Sequence, residues 1–377
     1  MNPYSELLES IKGEADFLDL TNTNFTSLTP LIDYSDLKLE LETYLNNRDY
    51  APESKGLLKA RQAIAEYYKA KNVELDPENI LITASTSESY SLIFSSLLQS
   101  KDKILLPNPS YPLFSYLASY ARTEPLYYDL IEEEGKWMID LLSLKKNISK
   151  AKALILISPN NPTGMMISKE QIKSILDLIR DKDILLILDE VFSDYVYEGN
   201  DHGELLKNIV EGNKVIILNG ISKALASPDL KLAWIALHNC ELSLIDKLET
   251  ANDTYLNCSY LSQSLLPSLF NKGKVKREQW LEILNTNRNQ LKNISSTLVN
   301  IIIPQGGIHC VVNFPALAWE NEKIALKLLE EYHLAVHPGY FYDFPPDSKK
   351  VIISLLQDPE KFKIGLSRLI DFSIQYS

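Results

Sequence analysis

The stretch Ala153-Leu-Ile-Leu-Ile-Ser-Pro-Asn-Asn-Pro-Thr-Gly164 decides the fold. Five consecutive apolar residues run into a turn of prolines, asparagines and a glycine, so a short buried strand ends where the chain must reverse. The arrangement recurs twice downstream. Ile184–Leu188 runs into Asp189-Glu-Val-Phe-Ser-Asp194, and Val215–Leu218 runs into Asn219-Gly-Ile-Ser-Lys-Ala224. Strands apolar at every position belong to a parallel sheet covered on both faces. Such sheets bind ligands at the carboxyl ends of their strands. Asn161, Asp189 and Lys223 are therefore expected on one rim: an amide, a carboxylate and an amine.

Working outward, strand-like runs alternate with helix-period stretches between about Tyr50 and His238, as in a mostly parallel α/β sheet. Leu57–Ala70 has helical spacing after Gly56. Ile80–Thr83 reads as a strand feeding Ser85-Thr-Ser-Glu-Ser89 into a helical run, Tyr90–Leu98. Ile104–Leu106 ends at the proline-set loop Pro107-Asn-Pro-Ser-Tyr-Pro112. Beyond residue 250 the pattern changes. Two helical stretches, Leu261–Phe270 and Val275–Leu298, precede short strands at Ile301–Ile303, Cys310–Asn313 and Val351–Ser354, interspersed with helical Glu322–Tyr332 and Phe362–Phe372. The expected organisation is an N-terminal segment, 1–40, packing with the small domain; a large domain, 41–250; and a small α+β C-terminal domain, 251–377.

Bulk composition excludes several function classes. The chain has 377 residues, 45% of them hydrophobic, with 38 Lys and Arg against 50 Asp and Glu for a net charge of −12. An acidic surface repels phosphate backbones and anionic lipid, so neither nucleic acid nor membrane is an expected partner. No apolar run is long enough to span a bilayer, and the N-terminus lacks the basic and apolar regions of a secretory signal. Three cysteines make no disulfide framework, none lies in a CxxC spacing, and the five histidines form no HExxH pair. A cytoplasmic protein without structural metal is expected.

An amine, a carboxylate and an amide on one rim suit a cofactor that forms a Schiff base with lysine and keeps a ring nitrogen protonated against a carboxylate. Pyridoxal 5'-phosphate is such a cofactor. With these residues in order, the chain resembles the class I/II aminotransferases, the fold-type-I pyridoxal-phosphate enzymes related to aspartate aminotransferase, from about Leu18 to the C-terminus. The resemblance implies the three-layer fold of that family and assigns roles. Lys223 looks like the Schiff-base lysine. Asp189 matches the partner of the ring nitrogen, and Asn161 the donor to the phenolic oxygen. Ser85, Thr86 and Ser87 lie where a strand-to-helix turn cradles phosphate. Ser222 and Lys231 match the other phosphate-contacting positions. Tyr111 matches the aromatic stacked on the pyridine face. Tyr50 matches a tyrosine reaching the neighbouring subunit's phosphate, which implies a homodimer with shared sites.

Four positions depart from the family pattern. Ile352 stands where an arginine usually clamps the substrate carboxylate, Phe192 replaces a tyrosine, Lys231 an arginine and Gly220 a serine. The expected function is a ping-pong aminotransferase moving an amino group from an amino-acid-like donor to a 2-oxo acid, its substrate held by groups other than an arginine at 352. The loop His337–Tyr342 and the segment Asn22–Asn24 are the candidates. A lyase, racemase or decarboxylase of the same fold, and a non-catalytic pyridoxal-phosphate-binding protein, remain alternatives.

Overall fold

The computed structural model describes residues 2–25, 34–47, 51–197, 199, 201–294 and 297–377. After the helix Pro3–Ile11 comes a two-residue strand, β1 (Leu18–Asp19). Eight strands follow: β2 (Ile80–Thr83), β3 (Lys103–Asn108), β4 (Glu124–Glu133), β5 (Lys136–Ile139), β6 (Ala153–Ile157), β7 (Leu185–Asp189), β8 (Val215–Gly220) and β9 (Ala233–His238). They form one sheet in the order β2-β9-β8-β7-β6-β3-β4-β5. Its centre, from β8 to β4, is parallel; β9 runs antiparallel to both neighbours, and β5 antiparallel to β4.

The all-apolar runs behave as the sequence reading requires. Every residue of β6 is buried. Alternate side chains leave the sheet on opposite sides, and they split into two cores. Leu154, Leu156, Leu186, Leu188 and Ile217 join one, with Ile64 and Tyr68 of the helix Leu58–Lys69. Ile155, Ile157, Ile187, Ile216 and Leu218 join the other, with Ile93 and Phe94 of the helix Thr86–Leu97. Helices on both faces remove the sheet from water, which is why its strands need no polar alternation.

A second, antiparallel sheet is made of β10 (Asn300–Ile301), β11 (His309–Asn313), β13 (His337–Pro338) and β14 (Lys350–Ser354), in the order β10-β11-β14-β13. Between them, β12 (Leu334–Ala335) pairs in parallel with β1. A third apolar cluster lies here, with Tyr4 and Ile11 of the helix Pro3–Ile11 joining Ile353, Phe362 and Phe372.

One expectation is corrected. The two helices expected at Leu261–Phe270 and Val275–Leu298 are a single helix, Tyr260–Lys292, of 33 residues and about 50 Å at 1.5 Å per residue. Pro267 lies inside it and cannot donate to the carbonyl four residues back. Leu265, Leu266 and Leu269, on either side of the proline, are at most 2% exposed, so burial of the flanking turns carries the helix past the break. No helix among the described residues is long and apolar enough to cross a membrane.

Candidate active site

Register places the site. Ile157 pairs with Asp189 and Asp189 with Leu218, while Gly220 pairs with Ala233 and Ala233 with Thr83. The ends of β2, β6, β7 and β8 and the start of β9 thus share one rim. A cavity of about 370 Å³ opens there, lined from the rim by Ser85, Thr86, Ser87, Tyr111, Asn161, Asp189, Ser222 and Lys223. The opposite wall comes from Thr23, His309 on β11, His337 on β13, and Tyr342.

The turn carrying Asn161 has a steric cause. Gly164 sits at φ +67°, and a Cβ there would fall 2.4 Å from Pro304 Cβ and 2.7 Å from the Gly306 carbonyl. Only glycine allows the loop to lie against the 304–306 backbone, where Gln305 and Gly306 N–H both donate to the Gly164 carbonyl. Asn161 follows β6 at the cavity wall, and its Oδ1 is buried without a hydrogen-bond partner. A buried amide left unpaired is costly, and either end of it can be turned toward a ligand.

Lys223 lies in the short helix Ile221–Ala224 directly after β8. Tyr195 O–H donates to the Lys223 carbonyl at 2.7 Å, fixing the backbone. The ammonium lies 5.6 Å from the Phe25 ring centre and 5.8 Å from that of Phe192. No carboxylate is within ion-pair range of it among the described residues. Burial therefore pushes the amine down to about 8, since desolvation disfavours the charged form. Across the cavity, Asp189 is 6% exposed. Burial pushes its carboxyl up to about 6, opposed by two donors, Tyr90 O–H on Oδ2 at 2.8 Å and Val191 N–H on Oδ1 at 3.1 Å.

The segment after Asp189 is held firmly. Glu190, wholly buried, meets His202 Nε2 at 2.7 Å and accepts from Tyr68 O–H at 2.7 Å and Asn219 Nδ2 at 3.1 Å. Asp194 accepts from Tyr67 O–H at 2.9 Å and pairs with Lys71 and Arg277, each at 3.2 Å. Both carboxylates are held below the usual range: the donors and cations around them outweigh desolvation, which alone would raise them.

At the helix Thr86–Leu97 the serines divide their work. Ser85 is the N-cap, its Oγ accepting from Glu88 N–H at 3.1 Å while Glu88 accepts from Ala84 N–H, a capping-box arrangement whose return bond falls one residue before the cap. Thr86 and Ser87 occupy the first helical turn, where amides have no intrahelical acceptor and favour an anion. This helix begins four residues before the expected Tyr90.

On the facing wall, His309 is 5% exposed, and burial, then the neighbouring Lys223 and His337, push its imidazole down to about 3. His337 Nδ1 lies 3.2 Å from Tyr342 Oη, and burial also lowers its pKa. Both rings are thus neutral at pH 7. Ile352 does not line the cavity: it is fully buried, paired with Val311 and His337 and clustered with Tyr342 and Phe344. Of the two candidate segments, His337 and Tyr342 reach the cavity from the first and Thr23 from the second.

Lys231 is not brought to the cavity. It is exposed, at φ 46°, just after the turn Pro228–Leu230. Tyr50 lies outside the described residues. Sequence reasoning missed Tyr90, whose signal was available: the Ser85-x-x-Glu88 box starts the helix at Thr86 and sets Tyr90 one turn later on the same side. It also missed His309, which carried no local signal.

The family described as aminotransferase class I and II matches residues 41–368. The (5-formylfuran-3-yl)methyl phosphate transaminase of Methanocaldococcus jannaschii is 27% identical over 98% of this chain and 94% of its own length. The tyrosine aminotransferase of Dictyostelium discoideum is 25% identical over 85% and 80%. Among solved structures, alanine aminotransferase from Pyrococcus furiosus aligns with a TM-score of 0.86 at 24% identity, covering 99% of this chain and 95% of that one. At that identity the structural likeness is one of fold.

Proposed function

The chain belongs to the class I and II aminotransferases, pyridoxal-phosphate-dependent enzymes, and on that premise we propose the residue roles, substrate handling and assembly that follow. The reaction is transfer of an amino group from an amino-acid-like donor to a 2-oxo acid; the names of the relatives favour it over lyase, racemase or decarboxylase chemistry.

The residues present fit the cofactor. Asn161 offers an amide whose Oδ1 is buried without a partner, the first turn at Thr86 and Ser87 offers amides without an intrahelical acceptor beside hydroxyls, and Lys223 offers an amine with lowered proton affinity. When bound, pyridoxal phosphate supplies an aldehyde for Schiff-base formation and a ring that accepts the electron pair left at the donor's Cα. Lys223 Nζ would be the amine that meets this aldehyde and, when free, would take the proton from the donor's Cα and return it, as general base and then acid. Asp189 keeps the ring nitrogen protonated. Thr86, Ser87 and Ser222 bind the phosphate, Asn161 donates to the phenolic oxygen and Tyr111 covers the ring. His309, His337 and Tyr342 face the substrate. Donor and acceptor use this one site in turn, hence a ping-pong order. The observation that carries these assignments is the pairing of Lys223, its amine enclosed by Phe25 and Phe192, with the buried Asp189 across the same cavity.

We also read the protein as a cytoplasmic homodimer with three regions, 1–40, 41–250 and 251–377. Apolar exposure on the helix Phe114–Tyr120, where Tyr116 is 60% and Tyr120 79% exposed, supports a second copy there. Three free cysteines suit a reducing compartment. Pairing of β1 with β12 supports joining the N-terminal segment to the C-terminal region.

A donor panel on purified holoenzyme tests the reaction. Stoichiometric keto-product formation without ammonia release, followed by amination of an added 2-oxo acid, is the expected result. Ammonia or carbon dioxide release in place of amino transfer contradicts it.

A further inference from the structure

Two buried carboxylates stand side by side at the end of β7, and they are compensated unequally. Glu190 has His202, Tyr68 and Asn219. Asp189 has no cation in ion-pair range among the described residues, only two donors, and of these only Tyr90 is a side chain. The titratable groups that act on Asp189 are Tyr90 from the helix Thr86–Leu97, Glu190 from its own segment and Tyr111 from the loop after β3.

Tyr90 is built to donate. It is 3% exposed, and burial, then the Asp189 charge, push its phenol well above the usual range, so the proton stays on oxygen. Its ring meets Phe114 edge-on at 5.0 Å and Phe94 at 5.6 Å, and the capping box fixes the turn that carries it. The hydroxyl is held in one direction, toward Oδ2.

We infer that Tyr90 is a positioning residue for the reaction: its O–H holds the Asp189 carboxylate ionised and oriented, so that Asp189 can keep the ring nitrogen of the bound cofactor protonated. This rests on Asp189 as the partner of that nitrogen. A donor to the charged form lowers a carboxyl's proton affinity, and removing it raises that affinity. Loss of the Tyr90 hydroxyl therefore leaves Asp189 protonated to higher pH, and the ring nitrogen loses its anion first under mildly acidic conditions.

The test uses pyridoxamine phosphate, which has no aldehyde and does not engage Lys223. Its dissociation constant is measured by fluorescence quenching between pH 5.5 and 8.5 for apoprotein of wild type, Tyr90→Phe and Asp189→Asn. Tyr90→Phe keeps the ring contacts with Phe94 and Phe114, so the fold is retained. Relative to wild type, whose carboxyl titrates near 6, Tyr90→Phe is expected to move the break upward by about one pH unit. Binding is then about fivefold weaker at pH 6 and indistinguishable at pH 8.5. Loss by one factor at every pH, or no loss, overturns the inference while Asp189→Asn still weakens binding. Asp189→Asn binding as tightly as wild type overturns both the inference and the role of Asp189 beneath it.

Discussion

The two walls of the cavity are built by different means. On the large-sheet rim each functional residue sits at a strand end, within a strand–turn–helix unit of neighbouring residues, and the segment from Asp189 to Asp194 is tied at Glu190 and Asp194 by buried partners. On the small-sheet wall, His309 comes from one segment and His337 and Tyr342 from another, joined by antiparallel pairing with β14 and by ring contacts of about 6 Å. The rim presents one charged carboxylate and one amine, whereas the wall presents neutral imidazoles and a phenol. The rim's residues are thus placed by local chain geometry, whereas those of the wall are placed by pairing within the second sheet.

The comparison predicts unequal consequences of substitution. The largest is at the rim's anchor. Asp194→Ala leaves Lys71 and Arg277 facing each other without their shared carboxylate, and loss of one partner from a buried ion pair costs about 3 kcal/mol or more. Urea unfolding should register that loss; a change below about 1 kcal/mol would show the cluster is screened by water and the rim no firmer than the wall.

An intermediate effect is expected at the wall. His309→Asn and Tyr342→Phe should raise the donor's KM by about tenfold, the scale of one lost hydrogen bond to substrate, while pyridoxamine phosphate affinity stays within about twofold of wild type. Equal losses in both measurements would erase the distinction between the walls.

The smallest effect has the opposite sign. Asp189 titrates near 6 against 3.8 for a free aspartate, so the folded state holds its proton more tightly than the unfolded. Its contribution to stability is full below pH 4 and is lost as pH rises through 6. Asp189→Asn should therefore stabilise the apoprotein at pH 7.5 and have no effect near pH 4. Destabilisation at pH 7.5 would mean the carboxylate is paid for by its donors after all.

How much of this was legible in the sequence follows the same division. β6 and β2 coincide with the apolar runs Ala153–Ile157 and Ile80–Thr83 because residues buried on both faces leave an uninterrupted signal. Asn161, Asp189 and Lys223 reach one cavity because each lies within five residues of such a run. Lys231 stays exposed although Ser222 reaches the cavity, because a left-handed turn separates it from the rim. Pro267 looked like a helix end, since a single sequence does not show that the flanking leucines are buried. His309 was invisible: nothing near Gly306-Gly-Ile-His announces that β11 pairs with β14 and faces Lys223. The apolar residue at 352 was plain, but not that it would be fully buried beside His337 and absent from the cavity lining.

The central claim is a covalent link at one amine, and it has a direct measurement. Apoprotein is mixed with pyridoxal phosphate across pH 6 to 10, reduced with borohydride and peptide-mapped by mass. Wild type should carry one phosphopyridoxyl group on Lys223, with a labelling rate that climbs about tenfold per pH unit and levels off near 8, where the buried amine loses its proton; Lys223→Ala should carry none at that site. A tag spread over surface lysines, or a rate still rising at pH 10, would contradict the assignment of Lys223 and with it the account of the rim.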